Sequence, residues 1–392
     1  MRPLDGITVV SLEQAVAAPF ATRQLADLGA RVIKIERPGS GDFARAYDKT
    51  VHGQGSYFVW LNRTKESVTL DLKTEAGQRI LHELLADADV FVQNLAPGAT
   101  RRQGLDAETL AARYPQLIVC DITGFGSTGP WADRKAYDLL VQFETGLVSI
   151  TGTPDEVAKV GISVADISAG MNTYSGILTA LYTRATTGKA PAIEVSLFES
   201  LAEWMGQPAY YTQYGGSQPL RAGAAHATIA PYGPYPIGDG GTVLLSIQHD
   251  REWRAFCGTV LGDPELADDD RFANNAVRVI NRDALDKVIV ARLAELDTAT
   301  TRALLDSAGI ANAKLNTVAE FLAHPVLAGR DRWRTIAQPR GDIQALLPPA
   351  TLAGVDIAMG PVPDLGEHTD AVLAGLGYDD QNIAALRADG VI

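Results

Sequence analysis

The sequence predicts an α/β fold: a mostly parallel β-sheet with helices on both faces. Three observations point there. Short apolar, β-branched runs recur through the first half of the chain. Each is followed by a stretch whose apolar residues fall at helical spacing, the alternation that produces parallel sheets. The chain of 392 residues is 46% hydrophobic and 21% charged, ample apolar material for a core and too long for one ordinary compact domain.

The elements follow in order. Residues 7–12 (ITVVSL) read as a buried strand. Residues 19–28 read as a helix, with Pro19 suited to its first turn and Gly29 to its C-terminal cap. Residues 31–36 (RVIKIE) form a second strand and complete a β-α-β unit. Strands at 68–72, 90–93 and 117–123 alternate with helices at 74–86 and 106–114; the first of these helices carries Ile80, Leu81, Leu84 and Leu85 on one face. Residues 166–184 form a long helix closed by Gly188-Lys189, followed by a strand at 192–197 and a helix at 198–205.

Beyond residue 206 the character changes. Residues 207–220, rich in Gln, Gly, Pro and Tyr, read as a linker. Residues 221–325 form a smaller domain with a strand at 242–247 and helices at 252–261 and 282–295. Residues 326–349, with Pro339, Pro348 and Pro349, read as a second linker. The expected organisation is therefore a discontinuous large domain, 1–206 with 350–392, and an inserted small one.

The net charge of −13, from 47 acids against 34 bases, argues against bulk binding to nucleic acid or an anionic membrane. Charge is local, however. Residues 31–65 hold seven bases (Arg31, Lys34, Arg37, Arg45, Lys49, Arg63, Lys65) against Glu36, Asp42 and Asp48, a net +4. Cys120 and Cys257 are too few for a disulfide framework or a thiolate cluster, and the six histidines lack metal-ligand spacing. The N-terminus MRPLDGITVV has no signal-peptide core, and no uninterrupted 18-residue apolar stretch occurs, so a cytoplasmic protein is expected.

Gly124-Phe-Gly126-Ser-Thr-Gly129 matches G-x-G-x-x-G, but a dinucleotide turn must open a helix and sit in the first βα connection. Here Pro130-Trp131 follow at a later strand, so the segment reads as a plain glycine-rich loop, without nicotinamide or flavin. The remaining candidate is Asp166, where VGISVA meets the long helix. It admits two readings: a helix N-cap accepting backbone N–H groups, or a nucleophilic or acid/base carboxylate beside small residues Ala169 and Gly170. Asp138, ahead of Leu139-Leu140-Val141, carries the same ambiguity.

At this point the chain resembles the class III CoA-transferase family, the formyl-CoA:oxalate and carnitine CoA-transferase type, to which the alpha-methylacyl-CoA racemases are related. The matching residues run across essentially the whole chain. They are Pro3-Leu-Asp-Gly-Ile7; Leu28-Gly-Ala-Arg-Val-Ile-Lys-Ile-Glu-Arg37 with Gly39-Ser-Gly-Asp42; Asn62-Arg-Thr-Lys65 with Leu70-Asp-Leu-Lys73; and Asn94-Leu-Ala-Pro-Gly98 with Arg102 and Gly104. Gly124, Gly126, Gly129-Pro130, Tyr137-Asp138, Asp166 with Gly170, Gly176-Ile-Leu178, Gly188-Lys189 and Leu365-Gly-Glu-His-Thr369 complete the set. Each motif is weak; their order and spacing together are specific.

The resemblance implies a large Rossmann-like domain, a smaller α+β domain and a homodimer of interlocked rings. It implies acyl-CoA and a small carboxylic acid as substrates, with no metal. Asp166 matches the family's covalent nucleophile, which would pass through an aspartyl-acyl anhydride and an aspartyl-CoA thioester. Coenzyme A contacts carry over to Val16, Arg37, Leu70, Asn94, Arg102, Lys135 and Tyr137, with Arg37 and Arg102 suited to phosphates. Oxyanion donors could come from the helix start at Ile167–Ala169, or from the 238–242 loop standing in for a glycine-rich lid. A close alternative is an acyl-CoA racemase, but Tyr137 stands where racemases carry a catalytic histidine, and an ordinary tyrosine is a poor base near neutral pH. A non-catalytic CoA-binding protein is a third alternative. The 221–233 segment resembles members acting on C4–C5 dicarboxylates, and Arg45, Arg63, Arg221 and His249 are the candidate cations for a distal carboxylate.

Overall fold

The computed structural model describes all 392 residues. In chain order the elements are β1 (Thr8–Leu12), α1 (Ala17–Asp27), β2 (Arg31–Glu36), α2 (Ser56–Asn62), β3 (Glu66–Thr69), α3 (Glu75–Ala86), β4 (Val90–Gln93), α4 (Ala99–Arg102), α5 (Ala107–Arg113), β5 (Ile118–Thr123), α6 (Asp138–Glu144), α7 (Leu147–Ile150), α8 (Val164–Thr187), β6 (Ile193–Ser196), α9 (Leu197–Trp204) and α10 (Gly206–Gly215). Then follow β7 (Tyr232–Pro236), β8 (Thr242–Ser246), α11 (Asp250–Ala255), α12 (Asn275–Ile280), α13 (Arg282–Leu293), α14 (Thr298–Ser307), β9 (Ala311–Lys314), α15 (Val318–Leu322), α16 (Pro325–Gly329), β10 (Trp333–Ile336), β11 (Ile343–Leu346), α17 (Thr369–Gly375) and α18 (Asp380–Ala388).

The chain forms two compact units. The first comprises residues 1–145, 161–205 and 329–392; the second, 146–160 and 206–328. The first unit holds a six-stranded sheet in the order β3-β2-β1-β4-β5-β6, every pairing parallel. The β-branched runs form central strands because both faces are covered, and β2 is buried at every position but Arg31. Val10, Ile33, Val68, Phe91 and Val119 meet Leu81 and Leu85 of α3 in the core. The order reverses at β1, whose neighbours are β2 and β4. In open α/β sheets ligands bind outside the carboxyl ends of the strands at such a switch point.

The second unit packs the antiparallel sheet β7-β8-β9 against helices through Trp253, Phe256, Phe272, Leu285, Ile289 and Leu305. No helix of the chain is long and apolar enough to cross a membrane.

Several expectations need correction. Residues 207–220 are not a linker throughout: α10 occupies most of them, because Pro208 falls in the first helical turn, where its missing N–H costs nothing. Residues 326–349 hold the β10–β11 hairpin, tied to the first unit where Ile336 and Ile343 pack on Phe58 and Val362. Residues 146–160 join the second unit because the Arg221 guanidinium donates to the Ser149, Thr153 and Pro154 carbonyls. The third strand is earlier than expected: β3 ends at Thr69, one residue before Leu70.

Candidate active site

Asp166 lies in the first turn of α8 rather than at its cap. The N-cap is Ser163, whose side chain makes no capping bond. The cap comes instead from α6: Asp138 Oδ1 accepts the Ala165 N–H at 2.7 Å and the Asp166 N–H at 3.4 Å, while Asp138 Oδ2 accepts Gln142 Nε2 at 2.7 Å. The N-cap reading of Asp166 is therefore wrong, and Asp138 fills that role across the chain. The helix start is also no oxyanion donor: the Ile167 N–H bonds the Ser163 carbonyl, and those of Ser168 and Ala169 point into the helix ladder.

The Asp166 carboxylate is partly buried and accepts no hydrogen bond from the chain. Burial, followed by the charge of Asp138, pushes its pKa up to about 7. An unsatisfied carboxylate with a raised pKa is costly to hold and marks a working group.

Its surroundings are set by close helix packing. Gly170, one turn beyond Asp166, lies so near α1 that a Cβ there would sit 2.7 Å from the Ala17 carbonyl oxygen and 3.0 Å from Phe20 Cδ1. The site therefore borders the β1–α1 connection. Aromatic side chains line this side: Phe20 and Trp60 (ring centroids 5.6 Å apart), Trp60 and Tyr57 (6.3 Å), and Tyr57 and Tyr47 (6.0 Å). Tyr57 Oη stands 3.4 Å from Ser163 Oγ. Burial raises the Tyr47 pKa, and the charges of Asp42 and Asp166 and the Tyr137 phenol add to it. Tyr47, Tyr57, Phe20 and Trp60 were not singled out in the sequence. No spacing rule links them to Asp166, and only folding brings α2 and the 43–46 turn to α8.

The positions matched to coenzyme A contacts all follow carboxyl ends of strands. Val16 follows β1, Arg37 β2, Leu70 β3, Asn94 and Arg102 β4, and Lys135 and Tyr137 β5. They divide into two groups. Arg37, Arg102, Lys135 and Tyr137 are exposed. Val16 and Leu70 are buried, and the Asn94 amide is spent on both backbone groups of Gln14, at 2.8 and 2.9 Å.

Most of the basic 31–65 window is not a surface patch. Lys34 Nζ lies 2.6 Å from Asp42 and 3.4 Å from Glu13, and Lys65 Nζ lies 2.7 Å from Glu13, all four groups buried. Arg31 pairs with Glu66, leaving only Arg37 and Lys49 exposed without an ion pair. Three of the four candidate substrate cations are already engaged within the chain. Arg63 is buried in a fork with Asp27 at 2.8 and 2.7 Å. Arg45 forks onto Glu36 and donates to the Pro363 carbonyl, on the wall of a cavity of about 310 Å³ shared with Phe58 and Arg340. Arg221 is spent on the three carbonyls above, whereas His249, the N-cap residue of α11, is exposed.

The Gly124–Gly129 segment runs on to Tyr137 without opening a helix; Glu194 holds it by accepting from Ser127 N and Oγ. The 238–242 loop is the tight turn joining β7 and β8. It is tied down where Gly238 N donates to the Leu293 and Leu296 carbonyls and Asp239 accepts the Thr298 N–H.

A doubly wound parallel sheet with a carboxylate free of chain hydrogen bonds on a helix start places the chain among α/β proteins. The particular class comes from the kinship of the chain. Residues 4–369 match the model of CoA-transferase family III, and the chain belongs to that family. It is 34% identical over 397 residues to mouse (Mus musculus) succinyl-CoA:glutarate CoA-transferase, covering 100% of this chain and 91% of the relative. It is 38% identical over 331 residues to acetyl-CoA:oxalate CoA-transferase of Acetobacter aceti, covering 84% and 85%. The crystal structure of a CAIB/BAIF family protein from Brucella suis superposes with a TM-score of 0.84 at 37% identity, covering 96% of this chain and 99% of that one. The protein is a CoA-transferase, with coenzyme A carried as co-substrate.

Proposed function

We propose that the protein moves CoA from an acyl-CoA such as succinyl-CoA to a small dicarboxylic acid, with Asp166 as covalent nucleophile. The observation that carries this reading is the Asp166 carboxylate itself: partly buried, free of hydrogen bonds and held at a helix start beside the β1–α1 connection. The Asp166 oxygen attacks the thioester carbonyl, the C–S bond breaks, and CoA leaves as thiolate, giving an aspartyl-acyl anhydride. The thiolate attacks the aspartyl carbonyl and releases the donor acid, leaving an aspartyl-CoA thioester. The acceptor carboxylate attacks that carbonyl and expels the thiolate. The thiolate then attacks the acceptor acyl carbon and frees Asp166. A carboxylate conserves the activation of the thioester at each step, so no other energy source enters.

Arg37, Arg102, Lys135 and Tyr137 are proposed to meet coenzyme A through their side chains; Val16, Leu70 and Asn94 shape the floor beneath it. Forked guanidinium donors suit phosphate groups. A dicarboxylate acceptor is supported by the relatives, one named for glutarate and one for oxalate. The working form is proposed to be an interlocked homodimer. Leu139, Leu140 and Phe143 on α6 and Tyr210, Tyr211 and Tyr214 on α10 are exposed, and such apolar surface is a mark of association.

The test is to incubate the protein with succinyl-CoA, trap with hydroxylamine and map the modified residue by mass spectrometry. An adduct at Asp166, absent in Asp166→Ala, is the expected result. Deuterium wash-in at Cα of a branched acyl-CoA without acyl exchange would select a racemase instead, and CoA binding with neither activity would select a binding protein.

A further inference from the structure

Two carboxylates share the start of α8, and the mechanism above uses only one. Asp138 opens α6, yet its side chain is committed to α8: Oδ1 takes the Ala165 N–H and, at longer range, the Asp166 N–H, and Oδ2 is held by Gln142. The partners of Asp138 are neutral donors, so its negative charge is not cancelled locally. The other titratable groups at this corner are Tyr47, just after the 43–46 turn, and Tyr137, ahead of α6; Tyr57 of α2 borders it through Ser163. Burial raises the Tyr47 pKa. No Lys, Arg or His pairs with either carboxylate.

We propose that Asp138 is a positioning residue for Asp166: it fixes the first turn of α8 and, as an uncancelled negative charge beside it, drives Asp166 toward its neutral, acylated forms. This rests on Asp166 being the nucleophile. When the Asp166 oxygen bonds the thioester carbon and the C–S bond breaks, the electron pair leaves on sulfur, and the negative charge moves from Asp166 to the CoA thiolate. The anhydride and the aspartyl-CoA thioester at Asp166 are both uncharged. Each lacks the repulsion from Asp138 that the free carboxylate feels, so covalent forms gain relative to the resting enzyme. The same repulsion keeps Asp166 basic, and a more basic carboxylate is the stronger nucleophile.

Asp138→Asn separates the two roles, because the amide oxygen still accepts the Ala165 N–H while the charge is gone. With succinyl-CoA as donor, the fraction of protein carrying CoA at Asp166 is read by intact-protein mass spectrometry, and the exchange rate is followed across pH. The adduct fraction is expected to fall several-fold in Asp138→Asn. The acid limb of kcat/KM is expected to move to lower pH and the high-pH plateau to drop. Asp138→Glu, which returns the charge, is expected to recover much of each effect. Should Asp138→Asn melt well below the wild type, Asp138→Ser supplies a neutral oxygen in its place. Superimposable pH profiles and equal adduct fractions in the wild type and the folded neutral variant would reduce Asp138 to a helix cap and overturn the proposal.

An isotope-edited infrared titration of the Asp166 carboxyl in resting protein needs no turnover. A lower midpoint in Asp138→Asn upholds the charge coupling, and an unchanged midpoint overturns it. A wild type that forms no adduct at Asp166 would instead overturn the nucleophile assignment, whatever the titration shows.

Discussion

Asp166, proposed above as the nucleophile, is placed where an anion is unwelcome. Its pKa of about 7 stands above the ordinary 3.8, first through burial and then through Asp138. A raised carboxylate pKa means that the folded state favours the protonated form, so stability is fully present below the ordinary value and is lost as pH rises through about 7. Asp166→Asn is therefore expected to abolish transfer, by at least roughly a thousandfold, and yet to melt higher than the wild type at pH 8. The gap should close toward pH 4, as a paired series of thermal melts would show. The wild-type kcat/KM is expected to rise with pH through about 7, because only the anion attacks. The residue was legible in the sequence through the order of family motifs around it. Its environment was not: the capping carboxylate, the phenols and the approach of Gly170 come from distant segments. The candidate substrate cations make a related point. A sequence counts charges but does not record which are already paired, and Arg63 and Arg45 had found Asp27 and Glu36.

Two helices meet at the working corner, and their distance is set by one missing side chain. Gly170→Val would push α8 off the Ala17 carbonyl and Phe20 and carry Asp166, one turn earlier on the same face, away from the β1–α1 connection. Loss of activity with a lower melting temperature is expected; the more informative measurement is whether CoA still binds by calorimetry. A second element-level device is the buried cluster Glu13–Lys34–Lys65–Asp42. Burial alone would raise the Glu13 pKa, but Lys65 and Lys34 hold it below the ordinary carboxylate range. Asp42 extends the cluster to the site by accepting the Ala15 and Ala44 N–H groups at 2.9 Å each, with Ala15 at φ +61°. Glu13→Gln leaves two buried ammonium groups facing one carboxylate and is expected to cost ~3–5 kcal/mol in urea unfolding. Glu36, held down at about 2 by Arg45, Lys34 and Ser67 against its burial, contributes stability that is present above pH 4.5 and lost as pH falls toward 2; the lowered pKa of Glu13 adds in the same direction. Lys34 and Glu36 alternate with Ile33 and Ile35 along β2. In a strand covered on both faces that alternation places charge inside.

At the scale of the whole molecule, the exposed aromatic and aliphatic side chains of α6 and α10 lead to an expected mass of about twice 41.7 kDa by light scattering. Paired charge substitutions such as Leu140→Glu with Phe143→Lys are expected to lower that mass and the activity together. An unaltered monomer-sized species with full activity would remove the dimer from the working form. The class of fold, the order of strands and helices through the first half, and the family could be read from the sequence alone. These rest on periodicity, caps and motif order, which are local or ordered along the chain. Only the tertiary structure decided which charges remain free, which carboxylate caps which helix, and where the units divide. Each of those depends on partners brought together by burial, and burial is a property of the packed chain rather than of any stretch of it.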